Sequence, residues 1–318
     1  RTIDKYLNGY QSAYTRKRKS KIDDYYEVIK LLLSDKSPQK FYYKRVLWQY
    51  LKDNHGLNCA ASSFRAYISR KPEFQQYFDS RKGRTNTNET VRFETPPAEQ
   101  AQVDWKENIR YITKEGEILH INVCVFLLSY SRFRTYLLPI SKSKSVLLSF
   151  LMESFEAIGG IPKTLLVDNM KTIMDESRTQ YQAGKVNERF YQFSKDCGFE
   201  VKPCIAGRPQ TKAKVEAPMK LLDEIHAYQG KFNYEELHAF IQDLCNRVNS
   251  QYHQGTGKIP ILHLKKERNL LSPLPNRKIR DFYKIDHIPV KVNTSNMVSY
   301  KSNMYSVPPG YIGKTVGL

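Results

Sequence analysis

Three acidic residues in this 318-residue chain stand in settings from which their side chains could share a metal ion. Asp104 lies inside a strand-like run, Ala101-Gln102-Val103-Asp104-Trp105. Asp168 follows a short apolar run in Leu165-Leu166-Val167-Asp168-Asn169, and Glu216 closes Lys212-Ala213-Lys214-Val215-Glu216 near the start of a helical pattern. Carboxylates brought together repel one another and stay partly protonated unless cations neutralise them. Hard oxygen donors of this kind suit Mg²⁺, or Mn²⁺ in its place, which keeps waters and substrate phosphate oxygens in its shell. Two such ions per site fit an in-line displacement at phosphorus.

The bulk charge supplies a matching substrate class. Fifty-one Lys and Arg against thirty-two Asp and Glu give a net charge of +19. Each phosphate neutralised by a basic side chain releases condensed counterions, so an excess spread over the whole chain predicts a polyanionic partner. A basic surface that binds nothing is the alternative on charge alone. The 22 Tyr and 15 Phe offer stacking surface, although most belong in a core. Five cysteines, at 59, 124, 197, 204 and 245, form no C-x-x-C pair and indicate neither a disulfide framework nor a zinc knuckle. Reducing cytoplasm is the expected compartment. No apolar run approaches the ~20 residues of a membrane span, and no signal peptide opens the chain. A start at Arg1 and an abrupt end at Leu318 predict a piece of a longer protein.

Elements that could position the acids follow from periodicity. Residues 1–21 read as a basic arm at the end of a preceding DNA-binding domain, with Arg16, Lys17, Arg18 and Lys19 able to follow a phosphate backbone or to serve as a solvated linker. Residues 22–71 carry three short helical patterns. The first places Tyr25, Val28, Ile29 and Leu32 on one face; the second Tyr43, Val46, Leu47, Tyr50 and Leu51; the third turns Phe64, Tyr67 and Ile68 inward. Ser62, Ser63, Arg65 and Arg70 are left outward on the third, as on the recognition helix of a helix-turn-helix, although a trihelical interaction domain shares the pattern. Residues 72–97 show no apolar period and read as a linker or an arm ordered on DNA, with Arg81, Lys82 and Arg84 as its basic contacts.

The core is expected over 98–250. Strands at 102–112, 118–128 and 134–140 form an antiparallel meander, followed by an amphipathic helix at 146–158, closed by Gly159-Gly160, and a short apolar strand at 163–167. A right-handed crossover through that helix would set the last strand beside the first, so that Asp104 and Asp168 face each other. A helix at 187–197 and a strand at 200–204 lead to a helical segment at 211–228, in which Lys212 and Lys220 share the face of Glu216 and Pro218 favours a kink. Another helix is expected at 234–248. Residues 251–277 read as a linker, in which His253 lacks a second His or Cys at ligand spacing. Short strands across 278–318 suit a small, incomplete β-barrel. The fold class is therefore multidomain α+β: helix-turn-helix, α/β core and C-terminal barrel.

Taken together and in order, Gln102-Val103-Asp104-Trp105, Val167-Asp168-Asn169-Met170-Lys171-Thr172 and Lys212-Ala213-Lys214-Val215-Glu216 resemble the DDE transposase and retroviral-integrase superfamily. More narrowly, they look like the large transposase subunit of IstA-type insertion sequences, from the helix-turn-helix to the C-terminus. Met170 stands where many integrases have Gly, and their N-terminal His and Cys zinc domain is missing, which argues against a retroviral-type integrase. The resemblance implies a ribonuclease H-like core, a site of Asp104, Asp168 and Glu216 holding two Mg²⁺ ions, and Lys171 beside it on DNA. It also implies hydrolytic release of transposon 3′ ends and their joining to target DNA, in a dimer or larger synaptic complex, and a cytoplasm that is prokaryotic, with the protein on DNA. No Gly-x-x-x-x-Gly-Lys-Ser/Thr loop is present, so ATP chemistry would fall to a partner, an IstB-type AAA+ helper ATPase. Two other classes share parts of the pattern: a non-catalytic helix-turn-helix regulator, and a ribonuclease H-like nuclease that cuts without joining.

Overall fold

The computed structural model describes residues 19–80, 94–139, 141–205, 213–284 and 289–317, with positions 3, 7 and 8; within 213–217 only the Lys214 side chain is included. The chain divides into two compact units, Arg1–Thr85 and Asn86–Leu318.

In the first unit a 3-10 turn, Asp23–Tyr25, leads into helices α1 (Tyr26–Leu32), α2 (Lys44–His55), α3 (Ala61–Arg70) and α4 (Pro72–Asp79). The expected faces are buried: Ile29 and Leu32, then Val46, Leu47, Tyr50 and Leu51, then Phe64, Tyr67 and Ile68. Gly56 ends α2 at φ +70°, a left-handed conformation that glycine adopts without steric cost. Tyr43, expected inward, is exposed just before α2 begins. The expected linker over 72–97 also needs correction at its start. Pro72 opens α4, supplying a preset φ where no amide donor is needed, and Phe74 and Phe78 are buried one turn apart. Three aromatics, Phe74, Tyr77 and Phe78, within eight residues were too short a signal to register as a period.

The second unit is a mixed α/β fold around a five-stranded sheet, with strands β1 (Gln100–Ile112), β2 (Ile118–Leu128), β3 (Arg134–Leu137), β4 (Thr164–Val167) and β7 (Glu200–Pro203). Their order is β3-β2-β1-β4-β7. The meander pairs antiparallel, Asp104 opposite Val125 and Phe126 opposite Thr135. The chain then crosses through α5 (Lys144–Ile158), and β4 pairs parallel to β1 from Gln100↔Thr164 to Val103↔Val167. Ser143 caps α5 by accepting from the Val146 amide, and Gly159 at φ +83° ends it. Between β4 and β7 lie a hairpin of β5 (Met174–Glu176) and β6 (Lys185–Val186) and helix α6 (Glu188–Cys197).

Alternation along the strands gives the sheet two buried faces. Ala101, Val103, Phe126, Leu165 and Val167 pack with Leu151 and Phe155 of α5 and Phe190 and Phe193 of α6. Ile109, Tyr111, Val123, Val125 and Leu127 pack with Leu222 and Ile225 and with Leu237, Ile241 and Leu244. The latter five come from a 3-10 segment, Leu222–Tyr228, that continues α7 (Ala213–Leu221), and from α8 (Tyr234–Ser250).

The expected linker over 251–277 is in fact a strap on this core. It contains α9 (Pro260–Arg268), and α10 (Arg277–Tyr283) follows at once. Arg268 donates to the Ile158 carbonyl at 2.8 Å and the Ala157 carbonyl at 3.3 Å, satisfying the open C-terminal end of α5. Glu267 is fully buried and accepts from the Ala98 amide at 2.9 Å and the Ser131 amide at 3.2 Å. Charged side chains made this strap look solvated; Glu267 is in fact buried, and Arg268, though exposed, caps α5.

The C-terminal barrel is corrected too. Strands β8 (Pro289–Lys291), β9 (Met297–Tyr300), β10 (Asn303–Ser306) and β11 (Thr315–Gly317) make two separate two-stranded ladders, β9 with β10 and β8 with β11. Among the described residues no closed barrel forms. All five cysteines are free thiols, and no helix of the described residues is long and apolar enough to cross a membrane.

Glu267→Ala should lower stability by about 2–4 kcal/mol, since two buried backbone donors lose a charged acceptor. Urea unfolding of Glu267→Ala and Glu267→Gln, the latter losing less, checks this.

Candidate active site

Backbone pairing brings the first two acids together. Val103 is the last β1 residue paired with β4, opposite Val167. Asp104 and Asp168 are therefore the next residues on two adjacent parallel strands, which run about 4.8 Å apart. Asp104 is half-buried, and its Oδ1 accepts from the Trp105 amide at 2.9 Å. Asp168, also half-buried, leaves β4 where the Cys204 amide donates to the Val167 carbonyl at 2.8 Å.

Asn169, directly after Asp168, fixes that exit. Its Nδ2 donates to the Cys204 carbonyl at 3.1 Å and the Arg178 carbonyl at 3.3 Å, and its Oδ1 accepts from the Arg178 amide at 2.7 Å. The Arg178 guanidinium donates to the Pro203 carbonyl at 2.9 Å. One side chain thus ties the end of β4 to the end of β7 and to the β5–β6 hairpin.

The third acid lies on α7, held across the face of the sheet that carries Asp104. Asp104 opposes Val125, whose side chain belongs to the face covered by Leu222 and Ile225. Two residues on, Lys106 Nζ donates to the Met219 carbonyl at 2.8 Å and pairs closely with Asp223. Tyr136 lies under the same helix, its hydroxyl 3.4 Å from the Pro218 carbonyl. Toward the other end, Lys214 Nζ donates to Thr95 Oγ1 at 2.9 Å. Glu216 lies on the helix between these two anchors, and its side chain is outside the described residues. Pro218 sits inside α7, which gives way to 3-10 geometry at Leu222, so the expected kink region is a change of helix type.

Burial, with Arg132 nearby, pushes the Lys214 ammonium down to about 8, against the pull of Glu94. Arg132 itself grips the Glu94 carboxylate with NH2 at 2.9 and 3.2 Å. Burial and the Asp104 charge raise the Cys124 thiol well above its usual range. Hard oxygen donors alone suit Mg²⁺ or Mn²⁺. Among the described residues, to which the Glu216 side chain does not belong, no three His, Cys, Asp or Glu side chains form a metal-holding cluster.

Of the expected DNA contacts, Ser62, Ser63, Arg65 and Arg70 are exposed on α3 in the first unit. Lys171 is exposed in the turn after Asp168, and Lys220 is exposed on α7. Lys19 makes an exposed ion pair with Asp24 at 2.7 Å. Arg16, Lys17, Arg18, Arg81, Lys82, Arg84 and Lys212 lie outside the described residues. Sequence reasoning missed Lys106, the Asn169 latch and the hairpin. The one available signal was the polar Asn169 at the end of an apolar strand.

No family model matches the chain. It is 64% identical, over its whole length and 74% of the relative's, to the transposase for insertion sequence element IS232 of Bacillus thuringiensis subsp. berliner. The chain belongs to the insertion-sequence transposases. A putative transposase for insertion sequence element IS5376 of Geobacillus stearothermophilus is 30% identical over 99% of the chain and 75% of its own length. The transposase for insertion sequence element IS21 of Pseudomonas aeruginosa is 27% identical over 79% of the chain and 64% of its own length. These relatives bear out the insertion-sequence transposase expected from the three motifs, and with it a DNA transposase as the enzyme class. Among solved structures, the catalytic core of BIV integrase aligns with 54% of this transposase and 98% of that core, at 16% identity and a TM-score of 0.40. The HTLV-2 integrase core does so over the same shares, at 11% identity and a TM-score of 0.39.

Asn169→Ala should release the hairpin from the strand ends, removing three hydrogen bonds. Faster amide exchange is expected across 174–186, with a loss of roughly 2 kcal/mol in global stability. Unchanged protection there would show that the latch bears no load.

Proposed function

We propose that this transposase binds the terminal inverted repeats of its element, cleaves their 3′ ends and joins them to target DNA at Asp104, Asp168 and Glu216. The observation that carries the reading is the register Val103↔Val167, which sets Asp104 and Asp168 side by side at the open end of the parallel pair. Two carboxylates so placed in a chain of net charge +19 are an acidic spot within a field that attracts phosphate. Glu216, on the helix anchored by Lys106 and Lys214, completes the set.

Divalent ions held by these three side chains, two per site, would neutralise the carboxylates and offset charge on the attacking and leaving oxygens. In the first step water attacks the phosphorus at the transposon end, the P–O3′ bond breaks, and the 3′-oxygen leaves to become a hydroxyl. In the second, that hydroxyl attacks a target phosphate and displaces the target's own 3′-oxygen. No covalent bond to the protein is needed, and the chain's task is alignment. Lys171 and Lys220, exposed near the strand end and on α7, would hold phosphates; half-buried Lys214 instead supports the helix.

The free face of α3, with Ser62, Ser63, Arg65 and Arg70, would enter a major groove as the second helix of a helix-turn-helix. The basic residues Arg16, Lys17, Arg18, Lys19, Arg81, Lys82 and Arg84 would follow the backbone of double-stranded DNA. Two transposon ends must be held at once, which calls for a homodimer or a larger synaptic assembly, and an IstB-type AAA+ ATPase would act as helper.

Asp168→Asn and Asp104→Asn should each cut cleavage and joining by at least about 100-fold while terminal-repeat affinity stays within about twofold. Gel-resolved cleavage and strand transfer, with fluorescence anisotropy for binding, separate the two effects. Joining that survives in either variant would remove that carboxylate from the reaction.

A further inference from the structure

We propose that the β5–β6 hairpin is a nucleobase platform, presenting Tyr181 for stacking against an unpaired nucleotide within about three positions of the scissile phosphate. The proposal rests on the DNA chemistry assigned above to Asp104 and Asp168.

Tyr181 is 92% exposed, the most exposed of the large hydrophobic side chains of the described residues. An aromatic ring left in water at a loop tip forgoes the burial that usually stabilises it. The tip is nevertheless shaped: the Thr179 amide donates to the Gln182 carbonyl at 3.0 Å, and Thr179 Oγ1 accepts from the Tyr181 amide at 3.2 Å and the Gln182 amide at 3.1 Å. The root is fixed as well. Met174 and Val186, paired across the hairpin, pack against the core, and Asn169 and Arg178 tie it to the ends of β4 and β7. Gly184, at φ +74°, lets the two sides close; a Cβ there would meet the Arg178 amide nitrogen at 2.7 Å and the Glu176 carbonyl at 2.8 Å.

Position gives the platform its partner. The Arg178 amide bonds the side chain of the residue next to Asp168. Tyr181 follows three residues later, at most about 10 Å of extended chain. Nucleotides along one strand advance about 3.4 Å each, so that reach spans roughly three of them. Between Ser177 and Lys185 there is no acidic residue, and exposed Gln180 and Gln182 flank the ring with amides that can donate to or accept from a base edge. A duplex keeps its bases stacked on one another; a nucleotide unpaired beside a cut offers a free face.

The test uses the full chain and a duplex ending in an overhang of about three nucleotides that contains 2-aminopurine. Stacking quenches that base. The wild type should quench it and bind the overhang duplex about tenfold more tightly than Tyr181→Ala does. Tyr181→Phe and Tyr181→Trp should retain both effects, and all four proteins should bind a blunt duplex alike. Equal quenching and affinity for Tyr181→Ala and wild type would overturn the proposal, as would equal losses on blunt and overhang DNA. A Tyr181→Phe variant as weak as Tyr181→Ala would assign recognition to the hydroxyl and likewise overturn stacking. Cleavage by the wild type, assayed in parallel against Asp168→Asn, keeps the two readings apart: cleavage without a Tyr181 effect removes only the platform, whereas no metal-dependent cleavage removes the active-site reading beneath it.

Discussion

The parallel pairing of β1 with β4 is the constraint from which the rest of the second unit follows. Four residue pairs, Gln100↔Thr164 to Val103↔Val167, set the register. A slip of one residue would turn Val167 out of the core and move Asp168 away from Asp104. The register is protected because Val103 and Val167 are both buried against α5 and α6, so the same apolar contacts that form the core also align the acids. A stable core and a functional edge are here one arrangement seen from its two ends.

Charged residues in this transposase work in two opposite ways. Glu267, buried, and Arg268, at the surface, are both committed to the fold, the first by two amides and the second by the last carbonyls of α5. Lys106, with Asp223, fastens α7 over the sheet. Such groups are held where their hydrogen bonds are complete, and removing one partner exposes the full desolvation cost of the other. Lys171, Lys220 and the outer face of α3 remain in solvent, where charge is inexpensive.

The hairpin joins these themes. Asn169 makes three hydrogen bonds to backbone groups of two segments, at Arg178 and Cys204, and these fix both the exit of β4 and the root of the hairpin. Its base and exposed tip differ in their hydrogen bonds: the base is bonded to strand ends, and the tip, among the described residues, to itself.

Much of this was legible in the residues. The long apolar run at 118–128, the short one ending at Asp168, and the amphipathic helix closed by Gly159 are local signals, and the elements formed where those signals lay. The three motifs in order carried the family, which the relatives bear out. Local pattern could not show that 260–284 is a strap, because Glu267 and Arg268 look solvated until distant amides and carbonyls claim them. Nor could it show the Asn169 latch, whose partners lie on the hairpin and on β7. Short strands near the C-terminus suggested a barrel, but closure depends on which edges meet, and those strands pair only two by two. Sequence determined the elements and the chemistry available to them, since both depend on near neighbours along the chain. Tertiary structure alone decided which charges are buried and which edges pair, since burial and pairing are settled by residues far apart in sequence.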